Sequence, residues 1–210
     1  MSITYVPQHF NMRSTKQQHN FIEKYNFGQL IVAGAEGLYI AHLPFYLDCT
    51  LSISGSLLCH VAKANPIWKN IINSKISAVF TGPHAYISPR WYPSNNQVPT
   101  WNYSAIYVEG RAKLLTANNL KILLDKLTEK EEMLVPNSVK WTPTEVEHDK
   151  YISMSKAIVG IEIEIINITG KLKMSQNRLP EDRQGAIKGL LKTGLPDSLQ
   201  VASMIEDANE

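Results

Sequence analysis

Three short runs of this sequence are rich in hydrogen-bonding side chains. The longest of them, residues 80–92, is also rich in aromatic residues. Trp101 and Asn102 follow it closely. Indole and phenol rings offer stacking faces, while His, Asn and Arg address the edge of a planar polar ligand. Prolines punctuate the run, so we expect a rigid loop with no regular secondary structure. An aromatic cluster that only pins a long loop is an equally favoured alternative.

The second run, residues 59–66, ends a predicted strand and begins a predicted helix. Lys63 would bring a positive charge close to the amides of the helix N-terminus, an arrangement that suits a phosphate group. Asn65 is explained better by simple N-capping of that helix. His42 stands at the end of an earlier strand and would bond a ligand there, although local satisfaction is commoner for a single histidine.

The third run, Ser-Gln-Asn-Arg at residues 175–178, is dense in hydrogen-bond donors. A carboxamide pair with a guanidinium group can read the carbonyl and imide edge of a ring, or clamp a phosphate. A polar turn is the alternative, and this run alone favours it. The sequence contains no glycine-rich phosphate loop, nucleophile elbow or closely spaced histidine pair, so we predict neither a catalytic set nor a metal site.

Composition limits the class of protein. A chain of 210 residues with 44% hydrophobic content is long enough for one substantial core. The net charge of +2, without a dense basic cluster, disfavours an autonomous nucleic-acid binder. Cys49 and Cys59 form no disulfide framework and are expected to be buried thiols. Without a signal peptide or an apolar run of membrane-spanning length, we expect a cytoplasmic protein with no membrane contact.

The elements that must position these runs are mostly strands in the first half and helices in the second. Glu36-Gly37 predicts a hairpin turn, Thr128 predicts the cap of a new helical turn, and Gly170 is expected to end the last strand. The predicted strands are 29–35, 38–46, 57–62, 75–81, 103–115 and 158–168. The predicted helices are 14–25, 66–72, 117–127, 143–156, 181–193 and 197–207. This order predicts a mainly β fold with peripheral helices (α+β), an antiparallel barrel in one domain, 1–210, with C-terminal helices (about 180–210) appended.

Several runs together resemble the PaiB family of FMN-binding negative transcriptional regulators. The match covers nearly the whole chain in the right order, and the run at residues 80–92 is its most specific part. The other matching runs are 42–45, 60–66, 98–103, 158–160, 173–178, 182–185 and 189–190.

The resemblance implies a split β-barrel of the flavin-reductase-like kind, usually a homodimer with FMN at the subunit interface. It places Lys63, with His60 and Asn65, at the phosphate. It implies that the isoalloxazine ring is lined by His42, Leu43, Pro44 and Phe45. It implies that the site is closed, in part from the partner subunit, by Trp101, Asn102, Gln176, Asn177 and Arg178. The family commonly has Arg where Lys63 stands, and Lys keeps the charge but loses the bidentate fork.

We therefore predict a homodimeric, FMN-binding transcriptional regulator. Direct DNA binding has little support, because the best basic patch is only Arg183, Lys188 and Lys192, so a transcription partner is the other route. The alternatives are a flavin-dependent oxidoreductase acting on a small molecule, in which FMN performs the redox chemistry, and a flavin-storing or sensing module.

Overall fold

The computed structural model describes residues 4–72, 74–136 and 139–208 of the chain. They form two compact units, each contributed by separate stretches of sequence. Unit 1 consists of residues 4–21, 80–107 and 169–208, and unit 2 of the described parts of 22–79 and 108–168. Within the described residues, no helix combines the length and the apolar character needed to cross a membrane.

Strands and helices alternate irregularly along the chain. The strands are β1 (Asn11–Met12), β2 (Phe27–Gly34), β3 (Gly37–Pro44), β4 (Tyr46–Asp48), β5 (Ser56–Ala62), β6 (Ile76–Ile87), β7 (Thr100–Leu114) and β8 (Ile158–Lys173). The α-helices are α1 (Thr15–Lys24), α2 (Ala117–Glu132), α3 (His148–Lys156), α4 (Pro180–Thr193) and α5 (Pro196–Asp207). Short 3₁₀ turns occupy Gln8–Phe10, Pro66–Asn70, Pro89–Trp91 and Pro143–Glu145.

The strands form one sheet in the order β3-β2-β6-β7-β8-β5-β4, with β1 added to β8. The pairs β2–β3, β2–β6, β4–β5, β5–β8 and β1–β8 are antiparallel. Within the described residues, the end strands β3 and β4 do not pair, so the sheet is not closed. The predicted hairpin is confirmed, because Gly34 opposes Gly37 across the turn. The predicted mainly β fold with peripheral helices is also confirmed, and the predicted antiparallel barrel is open between β3 and β4.

The prediction that residues 80–92 form a rigid loop was wrong. β6 continues through this run to Ile87, and a 3₁₀ turn at Pro89–Trp91 follows. Pro83 is tolerated inside the strand because the pairing of β6 with β2 runs only from Ile76 to Val79. Beyond that point the missing N–H of proline interrupts no ladder with β2.

Gly170 does not end β8, contrary to the prediction, since the strand continues to Lys173. A Cβ at this position would lie 2.7 Å from Cβ of Met12 and 2.8 Å from Cδ1 of Ile106. The missing side chain therefore allows close approach of neighbouring residues within the sheet. Glu162 of this strand is buried and paired with Lys113 at 3.1 Å.

The predicted C-terminal helices are confirmed, but two features of the middle region differ from the prediction. α2 continues through Thr128 to Glu132, so the predicted capping box there was wrong. The segment predicted as one helix from Pro143 begins with a 3₁₀ turn, and α3 starts only at His148. The capping box at Thr142 and Glu145 is present, but it caps the short turn.

Each unit has its own apolar packing. In unit 1 the helices α4 and α5 pack with Ala85, Ile87, Tyr92 and Met174 of the sheet region. In unit 2 the inner face of α2 packs on Leu58. Cys59 is buried as predicted, whereas Cys49 is exposed, so the prediction of two buried thiols was half wrong.

Candidate functional site

The first group of predicted site residues lies where β3 ends, in unit 2. His42 opposes Gln29 of β2, and its side chain is exposed. Leu43 and Pro44 are partly buried. The ring of Phe45 is fully buried, so in this structure it packs in the core. His42 is therefore the side chain of this run that is most open to a ligand.

His60 lies near the end of β5, opposite Gly160 of β8. Its Nδ1 atom is buried and has no hydrogen-bond partner among the described residues. Burial lowers the pKa of this imidazole, because removal from water disfavours the charged form. A neutral ring with one unpaired polar atom is suited to a ligand that donates or accepts one hydrogen bond.

The turn after β5 holds the backbone of Lys63 firmly and leaves its side chain exposed. The Lys63 amide donates to the Ala157 carbonyl at 2.7 Å, and the Lys63 carbonyl accepts from Trp68 Nε1 at 2.9 Å. Asn65 Oδ1 accepts from the Ile67 amide at 3.0 Å. Asn65 is thus the N-cap of the following 3₁₀ turn, as the simpler interpretation predicted.

Two neighbouring cavities of unit 2 adjoin these residues. A cavity of about 570 Å³ has Lys63 in its wall, and another of about 340 Å³ has His60 in its wall. The two share Leu124, Tyr151, Ser155 and Ile158. The wall of the larger cavity is mostly apolar, contains three lysines and includes no Asp or Glu. It therefore suits a ligand that joins an apolar body to an anionic group.

Sequence reasoning missed the part of these walls that α3 contributes. Tyr151 and Ser155 lie far from Lys63 in the sequence, about ninety residues after it. They approach the end of β5 because Ala62 opposes Ile158 at the start of β8. No motif marks this proximity, and only the pairing of the two strands would have predicted it.

The second group of predicted residues lies in unit 1. The indole of Trp101 is 53% exposed. It lies 6.0 Å from the rings of both His84 and Tyr86, measured between ring centroids. An exposed indole with two aromatic neighbours offers a stacking face, as the composition of this run predicted.

Asn102, the next residue on β7, is fully buried. Its Nδ2 donates to Ser175 Oγ at 2.9 Å, while Oδ1 has no hydrogen-bond partner among the described residues. Ser175 has a φ of 60°, in the left-handed region, where the chain turns sharply after β8. Asn102 therefore holds this turn and keeps one acceptor unpaired.

Gln176 and Arg178 are held by local contacts. Gln176 Oε1 accepts from the Met174 amide at 2.8 Å, and its Nε2 donates to the Leu172 carbonyl at 2.7 Å. Arg178 donates to Gln97 and lies 5.0 Å from the centroid of the Tyr92 ring. Asn177 is exposed. The predicted polar turn is thus observed, with Asn177 open to solvent.

The comparisons with known proteins agree with this chemistry. The family described as "Putative FMN-binding domain" matches residues 4–167. The chain belongs to this FMN-binding family. The Bacillus subtilis protein "Protease synthase and sporulation protein PAI 2" is 33% identical over 97% of both chains. The resemblance to the PaiB family is therefore confirmed. The predicted cofactor, FMN, is confirmed by the family match.

Two solved structures share the fold of this FMN-binding family member. One is the flavocytochrome Anf3 from Azotobacter vinelandii, with a TM-score of 0.56, 13% identity and coverage of 82% of this chain and 74% of that one. The other is an FAD- and haem-binding protein from Mycobacterium smegmatis, with a TM-score of 0.53, 11% identity and coverage of 78% and 73%. The predicted flavin-type split-barrel fold is confirmed.

Proposed function

We propose that the protein is a homodimeric, FMN-binding transcriptional regulator of the PAI 2 type. The observation that carries this proposal is the 33% identity to the PAI 2 protein over 97% of the chain. That relative is named for protease synthesis and sporulation. Similarity over the full length of both chains supports a shared function more strongly than a shared fold does.

The residues at the end of β5 fit the chemistry of FMN. Lys63 is an exposed cation on fixed backbone and suits the phosphate group. The apolar wall beside it suits a ring system, and the unpaired Nδ1 of His60, in the adjoining cavity, suits a polar edge of the ligand. In unit 1, Trp101 and the turn at residues 175–178 are proposed to contact the FMN that the partner subunit binds. When bound, FMN supplies the redox chemistry, and these residues bind and orient it.

A titration of FMN against two lysine variants tests this assignment. Lys63→Ala should weaken FMN binding by about tenfold or more, because it removes a charge-assisted hydrogen bond to phosphate. Lys69→Ala is the matched control, since Lys69 is also exposed and lies in the same connection. Flavin fluorescence gives both affinities. Equal FMN affinity in the two variants would reject Lys63 as the phosphate ligand.

A sheet face in unit 2 supports the homodimer. Phe27 of β2 and Leu38 and Ile40 of β3 are 63%, 69% and 57% exposed. They lie on one face of the hairpin, because Phe27 opposes Pro44, and Ile40 opposes Ile31. Apolar side chains so strongly exposed on adjacent strands are typical of a surface that another protein covers.

Light scattering after size-exclusion chromatography tests this face. Ile40→Asp should shift the protein from dimer to monomer, because a carboxylate would be buried in an apolar interface. Ile122→Asp is the control, since Ile122 is an apolar residue that is 45% exposed on a different element, α2. A dimer that survives Ile40→Asp unchanged would remove this face from the interface.

The charges on the C-terminal helices favour action through a partner protein. α5 contains Asp197, Glu206 and Asp207 and no Lys or Arg, and the small basic patch of α4, Arg183, Lys188 and Lys192, shares its helix with Glu181 and Asp182. A helix that enters a DNA groove needs cations to neutralise phosphates. Retention of operator DNA at low salt would contradict this part of the proposal, whereas co-purification with a transcription factor would support it.

A flavin-dependent oxidoreductase is the second candidate. The solved structures with this fold include a flavocytochrome and an FAD- and haem-binding protein. NADH oxidation by the FMN-loaded protein can be followed at 340 nm. A rate of about one turnover per second or faster would favour this candidate. A flavin that stays oxidised in excess NADH would favour the regulator.

A further inference from the structure

The charges of unit 1 are distributed very unevenly. Its sheet region, residues 4–21, 80–107 and 169–180, contains six Lys and Arg residues and no Asp or Glu. The cations are Arg13, Lys16, Arg90, Lys171, Lys173 and Arg178. The described acids of unit 1 all lie on α4 and α5: Glu181, Asp182, Asp197, Glu206 and Asp207.

Three of these cations lie close together at the end of β8. Lys171 and Lys173 are two residues apart on the strand and share a face, and Arg178 follows after the turn. All three are partly buried. Burial lowers the pKa of Lys173, and the positive charges of Lys171 and Arg178 lower it further. The positive charges of Lys171 and Arg178 therefore repel that of Lys173.

The side chains in direct contact with these cations are neutral. The Lys171 ammonium lies 5.0 Å from the Tyr103 ring centroid and 5.8 Å from that of Tyr5. Lys173 Nζ donates to Thr100 Oγ1 at 2.5 Å and lies 6.0 Å from the Phe10 ring centroid. The corresponding partners of Arg178 are the amide of Gln97 and the ring of Tyr92.

No carboxylate among the described residues forms an ion pair with any of the three cations. Asp182 of α4 lies near the Tyr92 side chain that Arg178 covers, but its hydrogen bonds among the described residues are with Ser94. It accepts a hydrogen bond from the Ser94 amide at 3.1 Å and another from Ser94 Oγ. Partly buried like charges without a counter-ion raise the free energy of the folded state unless an anion joins them.

We propose that Lys171, Lys173 and Arg178 form a binding site for the phosphate or carboxylate group of a ligand other than FMN. Two ammonium groups and a guanidinium fork provide charge-assisted donors, and the Thr100 hydroxyl adds a neutral one. The proposal goes beyond FMN binding and rests on Lys171 and Lys173, which have no part in the proposed FMN contacts, whereas Arg178 is named for both ligands and would be shared between them.

Calorimetric titration of the full chain with inorganic phosphate tests this site. The protein is saturated with FMN and kept at constant ionic strength with chloride. Lys173→Gln and Lys171→Gln should each weaken phosphate binding about tenfold or more, and Lys173→Arg should retain it. Lys188→Gln is the matched control, since Lys188 is an exposed lysine of α4 in the same unit. FMN affinity and thermal melting of each variant show that the fold is intact.

Binding lost in the two glutamine variants and retained in Lys173→Arg and the control supports the proposal. Absence of phosphate binding by the unmodified protein, or equal weakening in Lys188→Gln, overturns it. The same titration without FMN distinguishes the source of the anion. If phosphate binds only to flavin-free protein and Lys173→Gln weakens FMN but not riboflavin, the cluster holds the phosphate of FMN itself, and the second ligand is refuted. Absence of FMN binding would reject the FMN assignment but leave this site testable.

Discussion

Gly189 lies on the face of α4 that meets the ring of Trp91, and this contact leaves no room for a side chain. A Cβ at this position would lie 2.5 Å from Cε2 of the ring and closer still to Cδ2 and Cγ. Carbon atoms normally approach no closer than about 3.5 Å, so in Gly189→Ala the ring must retreat by about 1 Å or more. Such overpacking costs about 3 kcal/mol, and the better helix propensity of alanine recovers about 1 kcal/mol.

We therefore expect Gly189→Ala to lower the free energy of unfolding by about 2 kcal/mol, and the melting temperature by about 4–8 °C. Urea unfolding followed by circular dichroism measures the loss. In a Trp91→Ala background the same substitution should instead stabilise by about 1 kcal/mol, because only the helix propensity remains. Equal destabilisation in both backgrounds would refute the contact with Trp91 as the cause.

Three further predictions concern single side chains. Trp101→Ala should weaken FMN binding about threefold or more by fluorescence titration, while unfolding free energy changes by about 0.5 kcal/mol or less, since the indole is half exposed. The unmodified protein should lose stability as pH falls below about 6.5, because burial lowers the folded-state pKa of His60 and the unfolded chain binds the proton first. His60→Gln should show a smaller loss of stability over the same pH range. Cys49 should react with a thiol reagent in the native protein, whereas buried Cys59, whose pKa burial raises, should react only after unfolding.

Each of these has a contrary outcome. Loss of stability in Trp101→Ala with unchanged FMN affinity would make the indole a packing residue. Parallel pH curves for His60→Gln and the unmodified protein would mean that its imidazole keeps its normal pKa in the fold. Equal labelling rates for the two thiols would show that the β5 region opens readily.

Local signals in the sequence predicted most of the elements. Asn65 before Pro66 predicted the cap that is observed, and alternating isoleucines predicted β8. The failures occurred where long-range packing overrides a local preference. Pro83 and Gly170 are normally strand breakers, but Pro83 lies beyond the ladder with β2, and Gly170 lies where Met12 and Ile106 need the space.

The site residues were predictable as chemical types but not as a set. The charge on Lys63 and the ring of Trp101 could be identified as ligand groups from their neighbours in sequence. The contribution of α3 could not, because it depends on the pairing of Ala62 with Ile158. The cationic group around Lys173 was also missed, since lysines at alternate positions usually mark a solvated strand face and only the absence of nearby acids sets them apart.

The tie between Ser94 and Asp182 has an evolutionary consequence. The match to the FMN-binding family ends at residue 167, yet α4 supplies the carboxylate that secures the connection between β6 and β7. A homologue that stops at the family boundary would leave that connection without its anchor, just ahead of Trp101. Any homologue without α4 would need a different contact to hold this stretch, and replacing α4 and α5 of this chain with the C-terminal segment of such a homologue would identify that contact.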